Sequence, residues 1–250
     1  MAKYTGIIKL KGTIGGINFY GDGFCRIAGG GFTSELVKKS PSHLATRQYG
    51  TEFGNSARVK RLVRMSVEKS LLAPLGMDWH GQLKSLMGSI KDHDLINRRG
   101  ERVVSVGFQT EAARSLMRSH LFSPAQTVYP LFEGLPVAQT AGASCSFGDL
   151  KLLKKSFKSG ATHLRLRYFV VDYDMELLTV TTFAADEVLL SKAALPGCLP
   201  DFVIADLPEI PSFRLAFLSV QFCVVNEGVV VAIKEVEMVG LRCVGVFVGG

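Results

Sequence analysis

The sequence predicts an α+β fold, in which an N-terminal β-hairpin and a helical hairpin precede an antiparallel, jelly-roll-like β-sandwich. Three observations indicate this fold. Glycine recurs through the first thirty residues, apolar residues then follow a helical period to about residue 95, and short β-type runs recur beyond residue 100. We therefore expect two domains in the 250 residues, one at 1–100 and one at 101–250.

The glycine-rich start contains three β-type segments, at residues 6–10, 14–20 and 24–27. The sequence Gly21-Asp22-Gly23 between the last two predicts a hairpin. Neither the Gly-x-Gly-x-x-Gly pattern nor the phosphate-binding Gly-x-x-x-x-Gly-Lys pattern occurs here. These glycines therefore indicate turns and bulges rather than a nucleotide site.

Two helices are predicted between Pro41 and Leu95. Ser42 is a candidate N-cap for the first helix, Gly50 and Gly54 are candidate interruptions, and Pro74 and Gly76 end it. Its predicted apolar positions are Leu44, Phe53, Leu62, Val63, Val67 and Leu71. Asp78 is a candidate N-cap for the second helix, and one side of that helix carries Trp79, Leu83, Leu86, Met87 and Ile90.

The remainder of the chain is predicted to be β-rich throughout. The clearest hairpin lies at Val224–Val230, where two apolar strands flank a short turn that ends in Gly228. No repeat of about 20–50 residues is visible, which excludes a solenoid or a propeller. The predicted strands are at 102–106, 127–132, 144–147, 163–173, 177–183, 202–205, 213–225, 229–233 and 239–248.

Composition excludes two classes of protein. With 47% hydrophobic and 20% charged residues, the chain is not intrinsically disordered. The mean hydropathy is +0.23. The longest apolar run, Leu215–Val225, is nevertheless about half of what a spanning helix needs, and Ser219 and Gln221 interrupt it. We therefore expect no membrane insertion.

The N-terminus and the cysteines bear on localisation. The first residues show no apolar segment with a cleavage site, so we expect cytoplasmic residence or release without a Sec-type signal peptide. The five cysteines are scattered, with no Cys-x-x-Cys motif, which is typical of a reducing compartment and predicts no zinc site.

Catalytic signatures are missing from the sequence. It contains neither His-Glu-x-x-His nor Gly-x-Ser-x-Gly, and Asp92-His93-Asp94 is interpreted as a polar helix end. We therefore expect no enzyme, no catalytic residue, no metal, no cofactor and no small-molecule substrate. Asp172, Asp174 and Glu176 alternate and are expected on one strand face. They are a candidate acidic interaction strand, since calcium needs about six or more oxygen ligands.

Charge divides unevenly along the chain. Residues 1–120 carry 19 Lys and Arg against 9 Asp and Glu, whereas residues 121–250 carry 10 against 13. The basic side could be a solvated face, could meet the acidic half of another copy, or could bind a phosphate backbone. The candidate basic surface consists of Arg58, Lys60, Arg61, Arg64, Lys69, Arg98, Arg99 and Arg102.

Three stretches carry a family resemblance. The first is the segment from Gly6 to Tyr20. The second combines Glu52-Phe53-Gly54, which a basic helix follows, with the later segment Arg98–Val104. The third lies in the β half and consists of Gly160–Arg165, Val171–Asp174 and Phe217–Gly228. Together they resemble an uncharacterised family of proteins of similar length that recurs among Bacteroidota. The resemblance implies one full-length architectural unit and brings no catalytic residues.

These observations favour a non-enzymatic structural subunit of a self-assembling homopolymer, such as a filament, tube or shell, whose partners are copies of itself. The alternative is a nucleic-acid-binding or packaging-associated protein that uses the basic helix. A carbohydrate-binding sandwich is a third class, but it needs exposed aromatic residues, and the single tryptophan, Trp79, lies in the predicted helical part.

Overall fold

The predicted α+β class is confirmed in a computed structural model, which combines helices with several antiparallel sheets. The chain divides into two compact units, Met1–Thr51 and Glu52–Gly250. The structure describes residues 2–3, 10–20, 23–28, 33–71, 79–123, 136–148, 150, 152, 157–158, 160–196, 198–233 and 235–249.

The first unit contains a four-stranded antiparallel sheet. Its strands are β1 (Ala2–Lys3), β2 (Gly12–Ile14), β3 (Ile17–Tyr20) and β4 (Phe24–Ile27), in the order β1-β4-β3-β2. The predicted hairpin is confirmed, since Tyr20 of β3 lies opposite Phe24 of β4.

The predicted strand at 14–20 is in fact two strands. Gly15 and Gly16 both have positive φ angles, of 57° and 79°, so they form a tight turn between β2 and β3 that other residues rarely adopt. Apart from Leu10, the predicted strand at 6–10 lies outside the described residues, as do Gly21 and Asp22.

A short helix, α1 (Ser34–Lys39), and a 3-10 turn at Pro41–His43 lead into α2 (Leu44–Ser70). Ser42 therefore lies in this turn, where its hydroxyl is 2.7 Å from that of Ser40, and is not the predicted N-cap. Gly50 and Gly54 do not interrupt α2, which runs for 27 residues. The predicted apolar face is only partly correct: Val63 and Val67 are buried, whereas Leu44 and Phe53 are exposed.

The predicted helical hairpin is present in the second unit. Helix α3 (Trp79–Asp92) runs antiparallel to α2, because Glu52 contacts Lys91 at the end of α3 whereas Glu68 contacts His80 near its start. The whole predicted apolar side of α3 is buried. The predicted helix ends at Pro74, Gly76 and Asp78 lie outside the described residues.

The expectation that the chain is β-rich from residue 100 onwards is wrong for residues 104–119. Helix α4 (Val104–Gly107) replaces the predicted strand at 102–106, and α5 (Glu111–Ser119) follows it. The Thr110 hydroxyl accepts a hydrogen bond from the Ala113 N–H, which is a standard N-cap, and Ala113 and Met117 are buried. This cap and the tertiary packing of a short amphipathic segment favour a helix here.

Most of the predicted strands are confirmed. The three-stranded sheet has the order β10-β6-β5, and strands β5 and β9 were not predicted. The predicted strand at 127–132 lies outside the described residues. The strands of the second unit are β5 (Val137–Gln139), β6 (Ser144–Ser146), β7 (His163–Asp174), β8 (Thr179–Ala184), β9 (Val188–Ser191), β10 (Phe202–Val203), β11 (Phe213–Asn226), β12 (Val229–Ala232) and β13 (Val239–Val248).

The large sheet is organised around β7 and β11, which pair over eleven residues. Strands β8 and β9 pair with the other side of β7, and β12 and β13 pair with the other side of β11. All these pairs are antiparallel. Because β11 has paired strands on both of its sides, it lies in the interior of the six-stranded sheet.

The large sheet separates two apolar cores. On one face, Phe169, Leu215 and Phe217 pack with residues of the helices, including Val63 and Leu83. On the other face, the side chains of Tyr168, Leu218 and Phe222 pack with residues of the three-stranded sheet. The second unit thus has three layers, of which the two sheets form a sandwich. Because both faces of β11 are buried, its sequence is almost continuously apolar.

Candidate interaction surfaces

The sheet of the first unit carries an exposed apolar face. Ile14 lies opposite Ile17, and Ile17 lies opposite Ile27 on the next strand. Directly paired residues of antiparallel strands project from the same side, so these three isoleucines form one row. Phe19 and Cys25 are also paired and extend the same side. We call the surface formed by Ile14, Ile17, Phe19, Cys25 and Ile27 the isoleucine face.

No part of this surface is buried in the chain. Ile27 is 77% exposed, and Ile14 and Ile17 are also exposed. More generally, none of residues 10–20, 23–28 and 33–51 is buried. A small sheet needs a covered apolar face to be stable in water. The first unit therefore presents apolar surface of the kind that other proteins bury.

The opposite side of the same sheet differs in chemistry. The guanidinium of Arg26 lies 5.5 Å from the ring centroid of Tyr20, and the Tyr20 and Phe24 rings stack at 6.2 Å. Thr13 and Asn18 also lie on this side, because they pair with each other and Asn18 pairs with Arg26. Polar side chains and the Tyr20 and Phe24 rings thus occupy one side of the sheet, whereas the isoleucine face on the other side is apolar.

The second unit has an exposed apolar element of its own, the tip of the β11–β12 hairpin. Val224 pairs with Val231 and Val225 with Val230, on either side of a two-residue turn at Glu227 and Gly228. No residue from Val224 to Ala232 is buried, and Val229 and Val231 are 63% and 54% exposed. We call the segment Val224–Ala232 the valine hairpin. The sequence predicted this hairpin but not the exposure of Val229 and Val231.

The predicted basic surface is dispersed along α2. Lys60, Arg61 and Arg64 share an arc of about 100° on the helix, whereas Lys69 lies about 180° from Lys60. Arg64 also lies 3.7 Å from Glu68. Arg58, Arg61, Lys69, Arg98 and Arg99 are exposed, whereas Lys60, Arg64 and Arg102 are partly buried.

Tertiary contacts bring the second basic segment to the same helix. The Gly100 N–H donates to Glu52 Oε1 at 2.6 Å, and Arg102 lies 3.8 Å from Asp92. The segment with Arg98 and Arg99 therefore lies beside the Glu52 turn of α2. Arg58 lies about 9 Å further along that helix at 1.5 Å per residue.

Only part of the predicted acidic strand is a surface. Strand β7 ends at Asp174, and Glu176 lies in the turn that follows, so the expectation that all three acids share a strand face is wrong. Asp174 closes this turn by accepting hydrogen bonds from the N–H groups of Glu176 and Leu177, both at 2.9 Å. Asp172 is buried.

Asp172 forms a buried ion pair with Arg214 of the neighbouring strand β11. The guanidinium donates two hydrogen bonds to the carboxylate, at 2.5 and 2.7 Å. It also donates to the carbonyl oxygens of Ala141 and Pro208, at 3.0 and 2.9 Å. Arg214 thus connects the large sheet to two loops, which is a structural role. The available sequence signal was Arg214, the single charged residue in the largely apolar strand β11.

A second buried network fixes the ends of α2 and α3. Lys91 Nζ lies 2.7 Å from Glu52 and 2.8 Å from Asp92. Burial alone raises the pKa of Glu52, but the Lys91 ammonium and the Gly100 N–H outweigh it, and the pKa lies below its ordinary value. Burial alone lowers the pKa of Lys91, but Asp92 and Glu52 outweigh it, so that pKa is raised.

The Asp92-His93-Asp94 segment is a polar helix end, as the sequence indicated. The Asp94 carboxylate accepts hydrogen bonds from the backbone N–H groups of Ile96, Asn97 and Val103 and from the Asn97 amide, at 2.8–3.1 Å. Burial alone raises the pKa of Asp94, but these donors outweigh it and lower the pKa. The residue therefore organises the loop between α3 and α4.

A groove of about 650 Å³ lies where the helices stop covering the large sheet. Its walls include Leu62 and Lys69 of α2 and Val180 of β8, and Arg167 donates to the Ser70 carbonyl oxygen at 3.0 Å. The described lining contains no carboxylate, imidazole or thiol. The groove borders β8, an edge strand of the large sheet.

Burial disfavours the thiolate form of the buried cysteines. Burial raises the pKa of Cys145 and of Cys243 to about 12, which keeps both protonated at neutral pH. Within the described ranges, no three His, Cys, Asp or Glu side chains gather as a metal site would require. Over the same ranges, no helix has the length and apolar content needed to cross a bilayer.

Comparison of the chain with protein-family models, with curated proteins and with solved structures finds no match.

Proposed function

We propose that the protein is a structural subunit that assembles with copies of itself into a filament, tube or shell, and that it acts without catalysis. The observation that carries this proposal is the first unit, in which an apolar sheet face is exposed and none of residues 10–20, 23–28 and 33–51 is buried. Burial of such a face against another copy supplies the hydrophobic free energy that the unit lacks alone.

Charge supports contact between copies. The basic excess of residues 1–120 and the acidic excess of residues 121–250 attract each other when different regions of two copies meet. Because these regions are different surfaces of the same chain, their contact would extend into a ring or an open polymer. The two features together support a homopolymer rather than a closed dimer.

Light scattering after size-exclusion chromatography, over a concentration series, tests the proposal. We expect a mass well above 27.2 kDa that rises with concentration, and a return to 27.2 kDa in the variant Ile27→Lys, which places a charge on the isoleucine face. Leu177→Lys is the matched control, because Leu177 is 73% exposed in the β7–β8 turn. A wild-type protein that remains at 27.2 kDa at every concentration contradicts the proposal.

One observation favours nucleic-acid binding as a second function. The Gly100–Glu52 hydrogen bond places Arg98 and Arg99 beside the helix that carries Arg58 and Arg61. Cations spread along such a helix are suited to successive phosphates rather than to bases.

Gel-shift titrations with duplex and single-stranded DNA and RNA over a salt series test this second function. We expect binding that weakens steeply with salt and is lost in K60E/R61E/R64E. The control K38E/K39E/K192E changes the charge equally at exposed sites on other elements. Equal binding by both variants, or no binding by the wild type at low salt, would exclude it.

A further inference from the structure

We propose that the isoleucine face of one copy receives the valine hairpin of the next copy, so that the assembly grows head to tail. This inference rests on the proposed function, because it names the two surfaces through which the copies would meet. Both surfaces are apolar and exposed in the described chain, and they belong to different units.

The two surfaces match in size. Strand β12 of the hairpin and strand β3 of the isoleucine face each contain four residues. At about 3.3 Å per residue, each strand is about 13 Å long. The hairpin has two strands and the isoleucine face has three, so the hairpin can lie on the face without extending beyond it.

The two surfaces also match in shape and chemistry. Val224, Val229 and Val231 share one side of the hairpin, since Val224 pairs with Val231 and alternate residues of a strand point the same way. This side contains the two most exposed valines of the hairpin. Packed face to face at the usual spacing of about 10 Å, it would interdigitate with the isoleucine row.

Charge complementarity identifies a second copy as the occupant. Residues 1–51 carry seven Lys and Arg against two Asp and Glu. Residues 224–239, which include the hairpin, carry three acids, Glu227, Glu235 and Glu237, against the single Lys234. The acidic hairpin region is therefore attracted to the basic first unit of another copy, and like charges oppose contact between two hairpins or between two first units.

The contact is heterologous, because a hairpin meets a sheet face rather than another hairpin. A growing chain of copies therefore keeps one free hairpin at one end and one free isoleucine face at the other. This predicts a property that a symmetric dimer lacks. A variant with a defective hairpin and a variant with a defective isoleucine face should form a heterodimer that grows no further.

A mixing experiment tests this property. V231K should block the hairpin and I27K should block the isoleucine face, and each variant alone should remain at 27.2 kDa. In an equimolar mixture, the intact hairpin of I27K should bind the intact face of V231K and give a heterodimer of twice that mass. Circular dichroism should first establish that both variants fold as the wild type does. Val203→Lys is the control, since Val203 is 68% exposed on β10.

Each outcome of the mixing experiment has a separate meaning. A wild-type protein that never exceeds 27.2 kDa overturns the proposed function and this inference together. A wild type that assembles, with a V231K variant that assembles equally well, overturns the hairpin contact alone. A mixture that stays monomeric although each variant blocks assembly also overturns the pairing of these two surfaces.

Cross-linking locates the contact. Cys25 lies on the isoleucine face, and Cys198 is the other cysteine that is not buried. In a C198S background, V231C with a short bismaleimide should produce a ladder of cross-linked multimers through Cys25. V203C in the same background should produce no ladder. Equal ladders from both variants, or a ladder that persists in V231C when Cys25 is replaced by Ser, would overturn the assignment.

Discussion

The two units of the chain differ in how far they bury their apolar residues. In Glu52–Gly250, a central sheet is covered on one face by helices and on the other by a smaller sheet, so that strands such as β11 are almost entirely buried. In Met1–Thr51, none of residues 10–20, 23–28 and 33–51 is buried, although isoleucines and aromatic residues recur there. The second unit thus buries its apolar residues within one chain, whereas the apolar sheet face of the first unit is exposed.

Charged residues follow the same division. The second unit buries Glu52 with Lys91 and Asp172 with Arg214, and every one of these groups has a partner of opposite charge. In the first unit, Lys39 pairs with Glu35 at the surface, where both are largely exposed. Exposed pairs contribute little, whereas loss of one partner from a buried pair is costly. The folding free energy of a single chain should therefore reside in the second unit.

The largest effect should come from the buried pair at the centre of the second unit. Arg214→Met leaves the Asp172 carboxylate buried without its cation, and we expect the free energy of unfolding to fall by about 3–5 kcal/mol. Urea denaturation measures this change. The double variant D172L/R214M removes both charges and should recover most of the loss; a single variant as stable as the wild type would contradict the structural role of the pair.

A matched pair of truncations compares the units directly. Phe217→Ala creates a cavity between the sheet and the helices and should cost about 3–5 kcal/mol. Ile17→Ala, at an exposed site of the first unit, should change the stability of the monomer by less than about 0.5 kcal/mol. The comparison requires dilute protein and urea denaturation. A large cost at Ile17 in the monomer would mean that the first unit has a core of its own.

Two glycines of the second unit should respond in opposite directions to alanine. At Gly107, an added Cβ would lie 2.2 Å from the Ile90 carbonyl oxygen, so α3 and α4 would have to separate, at about 1–3 kcal/mol. At Gly88, within α3, an added Cβ meets nothing within 4 Å, and alanine should stabilise the helix by about 0.5–1 kcal/mol. Thermal unfolding distinguishes the two; destabilisation by both variants would contradict this account of α3 packing.

Acid should weaken the second unit first. The pKa values of Glu52 and Asp94 lie below their ordinary values of 4.5 and 3.8 in the folded chain. Their stabilising contribution is therefore complete above those values and is lost as the pH falls through the lower folded-state values. Unfolding free energies measured below pH 4.5 should depend less on pH in Glu52→Gln than in the wild type. Glu176→Gln, in the exposed turn after β7, is the matched control variant.

Local sequence patterns predicted the elements that have a clear apolar period or a clear turn. The apolar side of α3, the hairpin at Glu227–Gly228 and the long strands β7, β11 and β13 follow from periodicity and turn chemistry. Several short elements were missed or wrong, among them β5, β9 and α4, which contain only three or four residues. In such short segments, tertiary packing outweighs the local preference of the chain.

The interaction surfaces were predicted in part. The sequence identified the basic residues of α2 and of the Arg98–Arg102 segment, and the contact through Gly100 brings the two together. It could not identify the isoleucine face, because that row of residues comes from three strands joined by two turns. It also placed Asp172 on a surface, since alternation defines the face of a strand but not what covers that face.

By itself, the sequence determined the α+β class, the β-rich character of the C-terminal half and the uneven distribution of charge. These follow from composition and from contacts between near neighbours in the chain. Only the tertiary structure decided that Asp172 and Arg214 are buried partners, and that the isoleucine face and the valine hairpin remain exposed. The physical reason is that burial depends on residues far apart in the chain, which periodicity within one segment does not specify.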